Sequence, residues 1–300
     1  MHRCLLLALL AALLPRPAAA QAVPDTDVFL MALPQRHDEP RVGAVTNLTD
    51  RPGYDNQPSW LGDATILYTA QRADGQTDIA HYRLRDTQRD WTIDTPTSEY
   101  SPTLSHDGES ISVVRVELDS TQRLWSFPLF GGDPRPVLPD VKPVGYFAWL
   151  DAHRLALFVL GQPNTLRIGD TRTGKALVAA SDIGRSILRV PGTVSASFLH
   201  RVGSSWILKI VHPTPDPDGG FRIDSVAVMP DSADYIAWRS ASELYTGVGS
   251  RLLRFRIDQG RWSLIADLSP YGIRGISRLA ISPDGSMIAV VAEEPLPERR

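Results

Sequence analysis

Cysteine and lysine are almost missing from this chain, and so are long apolar runs. The single cysteine is Cys4. Residues from 21 onward therefore carry no thiol, which excludes disulfides and cysteine metal sites there. Lysine occurs only at Lys142, Lys175 and Lys209. The arginines that supply the remaining positive charge form no stripe, so nucleic acid is not an expected partner. The longest apolar run is Leu5 to Leu14, too short to span a bilayer, and no other run approaches 18 residues. Familiar catalytic signatures are also absent. There is no Gly-x-Ser-x-Gly elbow, no His-Glu-x-x-His helix and no Gly-rich phosphate loop with lysine. GVGS at 247–250 lacks the third glycine and the helix of a dinucleotide fingerprint.

What is present begins with a leader. Arg3 precedes the apolar run, Pro15 and Pro17 follow it, and Ala18-Ala19-Ala20 offers small residues for cleavage. Residues 1–20 read as a secretory signal peptide, which predicts a periplasmic or secreted protein. Large cores need no disulfide staples, so export without cysteine suits a periplasm. Without Arg3 and Arg16 the balance is 29 basic to 34 acidic side chains, a formal charge of −5. With 300 residues, 43% hydrophobic and 22% charged, the rest is an ordinary globular composition with an ample core.

A repeat organises that rest. Large apolar anchors occur at Trp60, Leu104, Trp149, Phe198, Trp238 and Ile281, spaced by 44, 45, 49, 40 and 43 residues. This is the period of a four-stranded propeller blade. A turn and a β-rich run follow each anchor: ATILYTA (64–70), ESISVVRVE (109–117), RLALFVLG (154–161), SWILKIVHP (205–213), ELYTGVG (243–249) and SMIAVVAEE (286–294). Third strands such as TDIAHYRL and weaker, proline-flanked fourth strands such as RPVLPD come next. DSVAVMP is expected to be the third strand of the fourth blade. The fourth blade also carries HPTPDPDGG (212–220), whose prolines predict an exposed loop and leave little room for an outer strand.

The last unit has only two strands. The missing pair lies near the other end, in TDVFLMALP (26–34) and RVGAVTNLT (41–49). Pairing Val28–Leu33 with Met287–Ala292 would complete the blade, close the ring and cover an open strand edge. The expected fold is all-β: a six-bladed β-propeller of four-stranded antiparallel blades over residues 21–294, with a short tail at 295–300.

Three stretches carry a family resemblance. NLTDRPGYDNQPSWLGDATILYTAQRADGQTDIAHYRL (47–84), SPTLSHDGESISVV (101–114) and LAISPDGSMIAVV (279–291) resemble the repeat of TolB-like propellers. The resemblance implies a six-bladed ring in an exported bacterial protein.

Other candidates have plain readings. His106, His153 and His200 recur every 47 residues but at unequal offsets from the anchors, and read as turn residues. Asp63, Asp107 and Asp284, three after their anchors, read as turn-stabilising aspartates. DPDG (216–219) lacks the later acidic ligand of a calcium loop. The anchor tryptophans read as packing between blades. No metal, cofactor or transmembrane anchor is expected, and a monomer is. The segments entering the inner strands should converge on one end of the channel. They contain Tyr54, Asp55, Asn56, Glu99, Tyr100, Tyr146, Asp234, Tyr235, Arg274 and Arg278. Tyrosine and arginine there suit a protein or envelope component as ligand. The leading expectation is a non-catalytic binding scaffold; the alternative is a propeller hydrolase or lyase working in the channel.

Overall fold

Apolar residues alternate along the strand runs, and this alternation decides where each blade packs. In Thr26–Ala32, Val28 and Leu30 face one neighbouring blade while Phe29 and Met31 face the other. Period-two alternation on a strand buried on both faces gives this result directly. A computed structural model describes residues 24–34 and 42–293. The leader with Cys4 and the C-terminal tail lie outside the described residues, as do the flanks of the propeller span assigned from sequence. Among those described, six sheets of four antiparallel strands form, with one short 3-10 turn at Ser269–Tyr271.

The first blade comprises Asp55–Trp60, Thr65–Gln71, Thr77–Arg83 and Gln88–Ile93. The second comprises Ser98–Leu104, Ser110–Val116, Gln122–Pro128 and Arg135–Val137. The third runs Val144–Trp149, Arg154–Val159, Thr165–Asp170 and Lys175–Ser181. The fourth is Ile183–Arg189, Ala196–Val202, Ser205–Pro215 and Phe221–Val228, and the fifth Ile236–Ser240, Glu243–Val248, Arg251–Arg256 and Arg261–Asp267. The sixth joins Arg274–Ile281 and Met287–Glu293 to Thr26–Ala32 and Thr46–Asn47.

The closure expected from the sequence is present. Val28 pairs with Val291 and Ala32 with Met287, and the Leu33 amide donates to the Ser286 carbonyl at 2.8 Å. The outer strand is shorter than the run 41–49 suggested, pairing only Thr46 and Asn47 with the strand beside it.

Six buried clusters make the core, and each sits at one junction between neighbouring blades. The tryptophan anchors belong to these junctions. Trp60 donates its indole N–H to the Ala280 carbonyl at 3.2 Å, Trp149 to Ser112 Oγ at 3.0 Å and Trp238 to Ser197 Oγ at 2.8 Å. In each case the acceptor lies in the preceding blade, so a buried polar atom of a large ring is satisfied across the joint.

One joint is tight enough to test. A Cβ on Gly247 would lie 2.3 Å from Cγ2 and 2.5 Å from Cβ of Ile276, in the next blade. Gly247→Ala is expected to cost about 1–3 kcal/mol through overpacking, read as a lower urea midpoint at unchanged m-value.

The fourth blade departs from the sequence reading. Phe198 lies in the second strand, not at the end of the first. SWILKIVHP belongs to the third strand and DSVAVMP to the fourth. The true first strand is IGRSILR (183–189). Arg189 pairs with Ala196 as Trp60 pairs with Ile66 and Trp149 with Leu155, so an arginine holds the anchor position. His200 accordingly lies in a strand and not in a first turn. An outer strand does exist, Phe221–Val228, and Pro213 and Pro215 lie within the preceding strand. They are tolerated because that strand outruns its inner neighbour: Ala196 pairs with Val211, and beyond it pairing continues only outward. A proline lacking its N–H costs nothing on an unpaired side.

Two turn aspartates act as expected. Asp107 Oδ1 accepts from the Glu109 amide at 2.9 Å, and Asp284 Oδ1 from the Ser286 amide at 2.9 Å. Asp63 instead accepts the Asp284 amide of the sixth blade at 3.0 Å, linking two turns. Among the described residues no cluster of three or more His, Cys, Asp or Glu could hold a metal ion.

Candidate functional site

The first strand of every blade borders the axis. Together they enclose a cavity of about 310 Å³ lined by residues of all six, from Gln57–Trp60 round to Arg278–Ile281. Tyr146, Tyr235, Arg185 and Arg278 lie on its lining. Register shifts interrupt the pairing of first strands at Asn56/Ser59, Tyr100/Thr103, Ile183/Ile187 and Arg274/Arg278. Bulges of this kind re-aim side chains, and here they fall at the level of the tyrosines and arginines.

Arg278 is the centre of the cluster. Its Nη2 donates to the Tyr146 hydroxyl at 2.8 Å. Its guanidinium carbon lies 4.1 Å from the Tyr235 ring centroid and 5.0 Å from that of Tyr146, within cation–π range. Burial favours the neutral form of Tyr146, but the charge and hydrogen bond of Arg278 outweigh it and hold this phenol below its ordinary range. Burial pushes Tyr54 up to about 12, with Arg278 and Arg185 acting in the opposite direction. Tyr235 is also raised, again by burial first. Tyr100 stands near enough to act on Tyr54. Two tyrosines, Tyr146 and Tyr235, and two arginines, Arg185 and Arg278, thus share the channel lining, while Tyr54 and Tyr100 are not on it.

The other residues singled out from sequence go elsewhere. Asp234 is exposed and lines an adjoining cavity of about 250 Å³ with Asn164, Arg185 and Tyr235. Arg274 is exposed and pairs in register with Glu293, off the channel lining. Asp55, Asn56 and Glu99 are buried between blades. Asp55 pairs with Arg51, yet burial raises its carboxyl to about 6. Glu99 Oε1 accepts from the Thr95 and Thr97 hydroxyls, both at 2.7 Å, and lies 3.3 Å from Arg115 Nε. Burial still dominates, and with Asp78 beside it the carboxyl rises to about 7. Asp78 and Glu99 stand in the repeat where Asp27 and Asp55 stand one blade earlier, so the same acid pair bridges two successive joints.

Arg185 and Arg189 were not singled out from sequence. Recognising IGRSILR as an inner strand would have found them, but it lacks the anchor and Asp-Gly turn that mark the others.

No protein-family model matches the chain, and no curated protein does. Solved structures do. The Agrobacterium tumefaciens protein assigned as TolB aligns over 91% of this chain and 100% of its own, with a TM-score of 0.70 and 13% identity. TolB from Acinetobacter baumannii aligns over 90% of this chain and 64% of its own, with a TM-score of 0.56 and 13% identity. A puromycin-hydrolyzing peptidase of Mycobacterium tuberculosis aligns over 70% of this chain and 37% of its own, with a TM-score of 0.50 and 17% identity. Likeness at such identities concerns the backbone, and the chain has the six-bladed propeller fold of the TolB-like proteins.

Proposed function

We propose that this chain is an exported, non-catalytic binding propeller that holds a protein or envelope component at the tyrosine- and arginine-bearing end of its channel. The observation that carries this reading is the Arg278 cluster. Tyr146 and Tyr235 offer large amphipathic rings around the Arg278 cation on the cavity lining, the chemistry enriched in protein contacts. The two carboxyls raised furthest, Asp55 and Glu99, lie between blades and not on the cavity lining. Export rests on the leader-like residues 1–20. Among the described residues no helix is long and apolar enough to cross a membrane.

The test is affinity capture from periplasmic extract followed by mass spectrometry. Wild type is expected to retain a stoichiometric protein that Tyr235→Ala, with unchanged Tm, loses by tenfold or more; buried interface tyrosines cost on the order of 2 kcal/mol when truncated. Turnover of a peptide or ester panel, abolished by substitutions on the cavity lining, would overturn the reading in favour of an enzyme.

A further inference from the structure

The cavity is charged with one sign. Arg185, Arg189 and Arg278 line it, and no Asp or Glu does among the described residues. This is notable in a chain whose formal charge is −3. No carboxylate lies within ion-pair distance of any of the three among the described residues. Arg189 donates through Nε to the Thr193 carbonyl at 2.6 Å and meets His106 Nδ1 at 3.0 Å, leaving its charge uncompensated. Arg278 makes one side-chain hydrogen bond, to a phenol, from a group carrying five N–H donors. The Ser59 and Ser101 hydroxyls, on the same lining, are buried without a hydrogen-bond partner. Apolar side chains of Ile187, Leu188, Ile281 and Trp238 share the lining, with Arg189 and Arg278 half-buried among the lining residues and Arg185 exposed. Cations held in such a cleft focus their field on whatever enters.

The placement of the charges selects the shape of the ligand. Arg185 and Arg189 lie on one strand, four residues apart. At about 3.3 Å per residue that is on the order of 13 Å along the strand. One small oxyanion cannot meet both ends. An extended chain with acidic groups at intervals can, and its apolar side chains would meet the Pro58, Pro102 and Ala237 walls.

We infer that the channel is an anion site whose occupant is an extended acidic peptide segment, with carboxylates paired to Arg278 and Arg185 at the tyrosine end and to Arg189 further along the axis. This rests on the binding-scaffold reading and names the chemistry of its ligand. Bidentate arginine–carboxylate pairing would supply specificity together with attraction.

The test is isothermal titration of the full chain with three probes: a heptapeptide alternating glutamate and leucine, its glutamine counterpart, and tripolyphosphate. The glutamate peptide is expected to bind, and to weaken as salt rises. The glutamine peptide should show no heat of binding, and tripolyphosphate should bind more weakly than the glutamate peptide. Arg278→Gln and Arg185→Gln should each weaken the glutamate peptide by about tenfold to a hundredfold, the scale of a lost charged hydrogen bond. Arg278→Lys should recover part of that, and Tm values matching wild type show that the variants fold. Equal binding of the two peptides, tighter binding of tripolyphosphate, or indifference to both Arg→Gln changes would overturn the inference. If a captured partner is lost by Tyr235→Ala yet kept by the Arg185→Gln/Arg189→Gln double variant, the scaffold stands and the anion site falls. If the peptide binds as described while no protein is captured, the site stands and the protein-scaffold reading falls.

Discussion

A chain lacking residues 26–49 is expected to be insoluble, or to show no cooperative thermal transition. Thr26–Ala32 is the third strand of its blade and pairs along its full length with Met287–Glu293. Val28 and Met31 are completely buried, and Phe29, Leu30, Leu33 and Leu48 nearly so. Fully burying a large apolar side chain contributes about 1.5–3 kcal/mol, and a whole domain is stable by only about 5–15 kcal/mol. Six such side chains account for most of that margin. The deletion also strips two of the six inter-blade clusters and exposes the long apolar edge of Met287–Glu293. Such an edge templates aggregation. A milder version separates packing from chain length: Met31→Asp, at a site with no exposure, should lower Tm sharply and reduce soluble yield. A soluble deletion variant that unfolds cooperatively near the wild-type temperature would refute the role assigned to the closure.

The second large effect is on pH. Burial raises Glu99 to about 7 and Asp55 to about 6, whereas in the unfolded chain both ionise near their ordinary values. A carboxyl raised by folding binds its proton more tightly in the native state. Its contribution is therefore complete below the unfolded pKa and is lost as pH rises through the folded one. For Glu99 this amounts to about 3 kcal/mol, at about 1.4 kcal/mol per pKa unit. Asp107, Asp170 and Asp284, held below their usual range by hydrogen bonds, act at lower pH and do not enter the interval from 5 to 8. His81 and His200, lowered by burial, oppose the carboxyls within it. The clean readout is hence the difference between wild type and Glu99→Gln. The amide keeps an acceptor for Thr95 and Thr97 but cannot ionise. Relative to wild type, Glu99→Gln should gain stability from pH 5 upward and level off above about pH 7 in urea titrations. A difference that stays constant across that range would rule the mechanism out.

Both results concern features that differ in how readily a sequence shows them. The closure was readable because two half-units at opposite ends, TDVFLMA and MIAVVAE, both alternate apolar residues with a period of two. The blade count followed from large anchors recurring at the length of four strands. The turn roles of Asp107 and Asp284 were readable too, because an aspartate before Gly108 or Gly285 acts on its own backbone. The fourth blade was not readable in phase. Its inner strand ends on Arg189 instead of an aromatic or aliphatic anchor, and its prolines sit where only an unpaired strand side makes them harmless.

The candidate site shows the same division. Tyr146, Tyr235 and Arg278, picked out from the segments that enter the inner strands, do reach the cavity lining. Asp55 and Glu99 stand five residues before their anchors, whereas Tyr146, Tyr235 and Arg278 stand three before theirs. In both acid-bearing blades the acid precedes the bulge, at Asn56/Ser59 and Tyr100/Thr103, and it is buried off the cavity lining.

Local sequence pattern alone determined the repeat, the ring, its closure and the strand phase of every blade but the fourth, since these depend on alternation and period within short segments. Only the tertiary structure decided which charges meet on the axis. Three arginines without a facing acid come from blades separated in sequence by nearly a hundred residues, and electrostatics acts through space, so no local pattern could record it.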